Sequence, residues 1–199
     1  MALLDQPVNN RKARTMGSAP LTIRAYSPEP PFCHAYDPLA AEVAHCIAVP
    51  ITAMLPGVTV EHIGSTAVPG CAGKGVVDLM VIYPDGQLEA VKELLARLGF
   101  QRQSVGQLFP EARPMRVGAL EHAGRCFQLH VHAIRSGSPE VEALRSFREQ
   151  LRADPRLVTE YVAWKQAILA EGITDRKFYT QRKSLFVQRV LAQASPEEK

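Results

Sequence analysis

From Val76 to Tyr83 the chain is apolar at every position but one, and the exception is Asp78. A run of this kind suits a strand inside a sheet, covered on both faces. An ionised carboxylate in such a strand costs several kcal/mol unless something compensates it. Asp78 therefore calls for a metal ion, a cation or strong hydrogen bonds. The plainer alternative is a structural aspartate paired to backbone or to an arginine.

The segment just before this run is of the opposite character. Val58 to Ile63 alternates and reads as a strand, and Gly64 to Gly75, with four glycines and Pro69, reads as a loop. Gly64-Ser65 at the head of that loop has a physical use. Glycine lets a backbone approach a phosphate closely, and free N–H groups form an anion-binding concavity. Ser65 or Thr66 adds a hydroxyl donor, and Lys74 can add a point charge to the same anion. A Gly-Ser pair by itself is most often just a turn.

The remaining elements follow from periodicity and punctuation. Leu21 to Tyr26 alternates and predicts a first strand, ended by the prolines up to Pro31. Asp37-Pro38 opens a helix to Ala48, with Pro50 expected to kink or end it. Leu88 to Leu98 is a helix closed by Gly99. Met115 to Leu120 and Arg125 to Ile134 are two further strands. Three helices complete the chain: Glu140 to Ala153, Pro155 to about Glu171, and about Asp175 to Ala194. The expected class is α+β, a mixed sheet with packed helices and a helical C-terminal third. A chain of 199 residues suits one domain, taken as 21–195, behind a polar, flexible arm over residues 1–20. The four cysteines are widely spaced, and no apolar run reaches the roughly 18 residues of a membrane span. A cytoplasmic protein with reduced thiols is expected, and a homo-oligomer is left open.

Two groups of polar residues invite a functional reading. Gln128, His130 and His132 alternate, so they share one face of a strand. Three readings stand side by side: sheet histidines satisfied by their neighbours, His130 as a general base or phosphate binder, and a single transition metal held by Asp78, His130 and His132. On the helices, Arg145, Arg148 and Arg152 form one stripe at i, i+3 and i+7. Tyr161 with Lys165, and Tyr179 with Lys183, pair at i, i+4 on the two helices that follow. These groups could grip a triphosphate or nucleoside, or they could form a solvated basic face with tyrosines packed at its edge. Trp164 reads as packing. A net charge of +3 and the lack of interleaved aromatics argue against nucleic acid.

The stretch Glu61-His62-Ile63-Gly64-Ser65-Thr66-Ala67-Val68-Pro69-Gly70, followed by Lys74 and Val77-Asp78, resembles the signature of the GrpB family. Leu129-His130-Val131, Phe147-Arg148 with Leu151-Arg152-Ala153, Tyr161 with Lys165, and Tyr179-Thr180 with Lys183 resemble later pieces of that family in the same order, although Glu149 replaces its usual aspartate. The similarity runs from about Leu21 to Ala192. It implies a nucleotidyltransferase-like fold of the DNA polymerase beta type, in which Gly-Ser is followed, roughly a dozen residues on, by a strand carrying acid-x-acid. Gly64-Ser65 and Asp78 fit this, but the second acid position holds Met80. His130 would take a place like that superfamily's third carboxylate.

The resemblance implies phosphate or nucleotide binding by Gly64, Ser65, Thr66, Lys74, Arg148, Tyr161, Lys165, Tyr179 and Lys183. Asp78 and His130 would be the catalytic groups, and a divalent metal would sit on Asp78, His130 and His132. Two-metal transfer needs several carboxylates, and methionine is a poor ligand for Mg²⁺. A divergent nucleotidyltransferase therefore stands beside a non-catalytic accessory domain, similar to the one fused to some dephospho-CoA kinases and linked to CoA metabolism or protein folding.

Overall fold

The computed structural model describes residues 21–27, 29–106 and 108–194; the arm expected over residues 1–20 lies outside them. Its strands are β1 (Thr59–Ile63), β2 (Val77–Tyr83), β3 (Gln101–Arg102), β4 (Met115–His122) and β5 (Arg125–Arg135). Its helices are α1 (Leu39–Met54), α2 (Leu88–Arg97), α3 (Pro139–Ala153), α4 (Pro155–Ala170) and α5 (Arg176–Ala194). The strands form one mixed sheet in the order β1-β2-β5-β4-β3. β2 runs antiparallel to β1 and parallel to β5, and so has a partner on each edge. The α+β class with a helical C-terminal third is as expected.

The two-residue period of a strand divides β2 and β5 into two chemistries. Val77, Leu79 and Val81 on β2, with Leu129, Val131 and Ala133 on β5, pack into the main core with Val43, Ile47 and Ile51 of α1 and Leu94 and Leu95 of α2. Each valine, leucine or isoleucine among them, removed from water, contributes about 1.5–3 kcal/mol. The alternate residues face the other way. There Met80, Ile82 and Ile134 are sealed by Val141 and Leu144 of α3, while Asp78, His130 and His132 line an open cavity. α3, α4 and α5 make a third cluster through Phe147, Leu151, Tyr161, Phe186 and Val190, and the glycine loop joins it through Val68 and Cys71. The helical third thus clamps the loop against the sheet.

Local chemistry sets the helix ends. Ser138 and Asp154 cap α3 and α4, accepting from the backbone N–H of Glu140 (3.4 Å) and Arg156 (2.8 Å), and each cap precedes a proline in the first turn. Asp37 Oδ1 accepts from the Leu39 N–H at 3.1 Å. Gly99, at φ 99°, ends α2.

Two expectations are corrected. α1 does not end near Pro50 but continues to Met54, because Val43, Ile47 and Ile51 lie flat on the sheet and hold it through the missing hydrogen bond. The strand expected at Leu21–Tyr26 reduces to one bridge, Arg24 with Ala119. The edge of β4 is taken at Arg116 and Val117 by β3, a strand of two exposed residues with no apolar pattern to announce it. Ile23 is instead buried against Gly118, where an added Cβ would meet Ile23 Cγ2 at 2.4 Å.

Candidate functional site

The parallel pairing of β2 with β5 sets Asp78 opposite His130 and Met80 opposite His132. His130 Nδ1 lies 3.1 Å from Asp78 Oδ1, and His132 Nε2 lies 3.9 Å from the same oxygen. Burial alone would raise the Asp78 carboxyl. The donors and charge of His130 and His132 outweigh it and hold the group well below the usual carboxylate range. The isolated acid of the sequence therefore finds its compensation in imidazoles. One ligand atom from each of Asp78, His130 and His132 falls within 4.8 Å of the others, a spacing that suits one ion.

Gly64 meets this carboxylate directly. Its backbone, at φ 74° and ψ −170°, occupies a region that only glycine enters readily. A Cβ there would lie 2.5 Å from Asp78 Oδ2. The glycine therefore makes room for Asp78. After it, Ser65–Ala67 form a single 3₁₀ turn. Thr66 donates to Val76 O (3.1 Å) and so accepts from His62 Nε2 (3.0 Å). Burial, opposed by Asp78 and reinforced by Arg152 and Arg148, lowers the His62 pKa to about 4, so the ring is neutral and can make that bond at ordinary pH.

Above Asp78 lies a cavity of about 280 Å³. Ser65, Thr66, Lys74, Asp78, His130, His132, Lys165, Tyr179 and Lys183 all line it, so nine of the residues picked out from the sequence converge. Lys74, Arg176 and Lys183 supply a cationic wall, and Val105, Phe109, Met115 and Val117 an apolar one. Lys74 Nζ sits 4.3 Å over the Tyr179 ring. Burial, then repulsion from Lys183 and Arg176, lowers the Lys74 pKa to about 8. Burial raises the Tyr179 phenol to about 12. A second cavity of about 490 Å³ adjoins the first and shares Tyr26, Lys74, His130 and Arg176 with it.

Four of the expected binding residues do other work. Arg148 donates to Glu61 Oε2 (3.1 Å) and His62 O (2.9 Å), away from the cavity. Its neighbours in the stripe behave alike: Arg145 pairs with Glu61, and Arg152 donates twice to Ala67 O at 3.0 and 2.8 Å. The stripe is a clamp on β1 and the glycine loop, with Glu61 as the counterion of Arg145 and Arg148. Tyr161, 2% exposed, stacks between Phe147 and Phe186 in the helical core. Gly64 touches Asp78 and does not line the cavity. Lys165 reaches the cavity but is 1% exposed, and its ammonium donates to Ser65 Oγ (3.3 Å), Cys71 Sγ (3.4 Å) and Ala72 O. Three N–H groups thus meet three acceptors, so Lys165 braces the loop from within.

Sequence reasoning missed Tyr26, Arg113 and Arg176. Tyr26 OH is 3.0 Å from His130 Nε2 and 3.5 Å from Arg176 Nη1, and Arg113 Nη1 is 2.9 Å from His132 Nδ1. Only Arg176 carried a signal: it precedes Tyr179 and Lys183 at i+3 and i+7, so all three share a face of α5.

The second acid position is closed to the cavity. Met80 is 0% exposed and lies among Ile63, Ile82, Ile134 and Val141. A pair of carboxylates on β2, as two-metal transfer requires, is thus absent.

A family profile described as GrpB protein matches residues 22–193. A UPF0157 protein of Vibrio cholerae is 35% identical over 144 residues, covering 72% of this chain and 71% of its own. The crystal structure of the conserved protein GrpB from Enterococcus faecalis is similar with a TM-score of 0.62 and 24% identity, over 81% of this chain and 98% of that one. A crystal structure of Cid1 poly(U) polymerase with Mg and 3'-dATP bound is similar with a TM-score of 0.46 and 14% identity, over 65% of this chain and 41% of that one.

Proposed function

The chain belongs to the GrpB family, and we propose that its cavity binds the phosphates of a nucleotide or other phosphorylated small molecule. One observation carries this reading. Lys74, Arg176 and Lys183 crowd one wall, and none forms an ion pair with a carboxylate among the described residues. Cations that repel one another in a half-buried site gain from an anion placed between them. Ser65 and Thr66 supply hydroxyls at the loop edge, and the apolar wall and the adjoining cavity offer room for the rest of the ligand. A divalent ion accompanying the phosphates would rest on Asp78 and His130 and neutralise phosphate charge.

The burial of Met80 favours binding over transfer. An accessory role, linked to CoA metabolism or protein folding, fits a site with one carboxylate better than a divergent nucleotidyltransferase does. The same reading takes residues 21–195 as one domain of a cytoplasmic protein, alone or as a homo-oligomer, with no need of nucleic acid. Among the described residues no helix is long and apolar enough to cross a membrane.

Thermal unfolding with nucleoside triphosphates and tripolyphosphate tests this. A ligand at a hundred times its Kd stabilises by about 2.7 kcal/mol, so a clear rise in Tm is expected. Lys74→Met and Lys183→Met should each weaken binding about tenfold or more, as loss of a charge-assisted contact does. The pH dependence has a definite sign. Lys74 is protonated below about 8, and a bound phosphate raises its pKa. Affinity should therefore hold up to pH 8, fall as pH rises through it, and binding above that point should take up a proton. No shift with any phosphorylated ligand, or variants that bind like the parent, would overturn the proposal.

A further inference from the structure

Different groups stand behind the two histidines on the cavity floor. Behind His132 is Arg113, whose Nη1 lies 2.9 Å from Nδ1. A guanidinium has donors only and does not lose its proton. Arg113 therefore donates and Nδ1 accepts. A neutral imidazole has a single N–H, which must then sit on Nε2, the nitrogen facing Asp78 Oδ1 at 3.9 Å. Arg113 is itself fixed: its Nε donates to Glu140 Oε2 at 2.8 Å, a second nitrogen pairs with Oε1, and its plane lies 4.6 Å over Phe109. A metal-binding histidine needs the reverse, with its outer N–H given to an acceptor and its inner lone pair free. His130 has that option. Its Nε2 meets Tyr26 OH at 3.0 Å, a hydroxyl that can accept as well as donate, so the Nδ1 proton that faces Asp78 can move to Nε2 when an ion arrives and leave Nδ1 free to bind it.

We infer that Arg113 withdraws His132 from the metal set, so that the floor offers a divalent ion two protein ligands, Asp78 and His130. Three ligands of this type would select a transition metal tightly. Two leave the remaining positions to water and ligand oxygens, which suits a hard ion such as Mg²⁺ or Mn²⁺.

Titration of the full chain with Co²⁺ alone, followed by absorbance and calorimetry, tests this without any phosphate ligand. The parent and His132→Ala should bind Co²⁺ equally well. Arg113→Gln, whose amide oxygen can accept from Nδ1–H and so free Nε2, should bind at least about tenfold more tightly. That gain should vanish in the double variant with His132→Ala, and Arg113→Lys, which keeps a donor, should behave like the parent. Tenfold weaker binding by His132→Ala, or a folded Arg113→Gln with unchanged affinity, would overturn the inference. Should the variants not fold, the long-range ¹H–¹⁵N spectrum of the parent decides. A protonated Nε2 and bare Nδ1 on His132 are required, and the opposite tautomer refutes the assignment.

Discussion

Gly64→Ala is expected to lower stability by about 3 kcal/mol and to remove ligand stabilisation from the protein that still folds. Two effects add. The backbone at φ 74° and ψ −170° is strained for any residue with a Cβ. That Cβ would also press on Asp78, 2.5 Å from Oδ2 and 3.1 Å from the Asp78 Cβ. Relief requires Asp78 to leave its place beside His130, which disturbs the cavity floor. Gly70→Ala is the control, since Gly70 also has a positive φ, 76°, but nothing lies within 4 Å of its added Cβ. It should cost only about 1 kcal/mol. Denaturant unfolding of both variants makes the comparison. Equal costs would mean that Gly64 is an ordinary turn glycine.

Met80→Asp is expected to cost about 3–5 kcal/mol, although it rebuilds the acid-x-acid spacing. The side chain at this position is sealed between the sheet and α3, with Ile63, Ile82, Ile134 and Val141 around it. A carboxylate there loses its water and replaces a well-packed thioether. Met80→Leu, nearly equal in volume, should cost under about 1.5 kcal/mol. Chemical denaturation separates the two, and metal titration of the aspartate variant should reveal no second ion. A Met80→Asp protein as stable as the parent, with an added metal site, would mean that position 80 opens to the cavity.

What was legible in the sequence was local or periodic. The prolines at 139 and 155 and Gly99 mark helix ends through bonds within a few residues. The apolar run around Asp78 declared an interior strand because period and burial act along one segment. Pairings across the fold carried no such mark. Glu61 lies in the strand that leads into the glycine loop, yet its partners Arg145 and Arg148 are 84 and 87 residues away, so the arginines read as free when they are engaged. Lys165 and Lys183 each follow a tyrosine at the same spacing. Only the packing of α4 against the loop makes the first a brace and leaves the second on the cavity wall. Arg113 stands in a non-periodic stretch between Pro110 and Pro114, where no pattern points to His132.

In the proposed function, Lys74 of the glycine loop and Arg176 and Lys183 of α5, none ion-paired with a carboxylate among the described residues, receive a phosphate between them. Isothermal titration of a nucleoside triphosphate into the full chain at pH 8.5, in two buffers of different ionisation enthalpy, tests it most directly. Saturable binding with proton uptake by Lys74 is expected, with the uptake lost in Lys74→Met. Absence of binding by any nucleoside triphosphate, or binding with no proton uptake that Lys74→Met leaves intact, would contradict it.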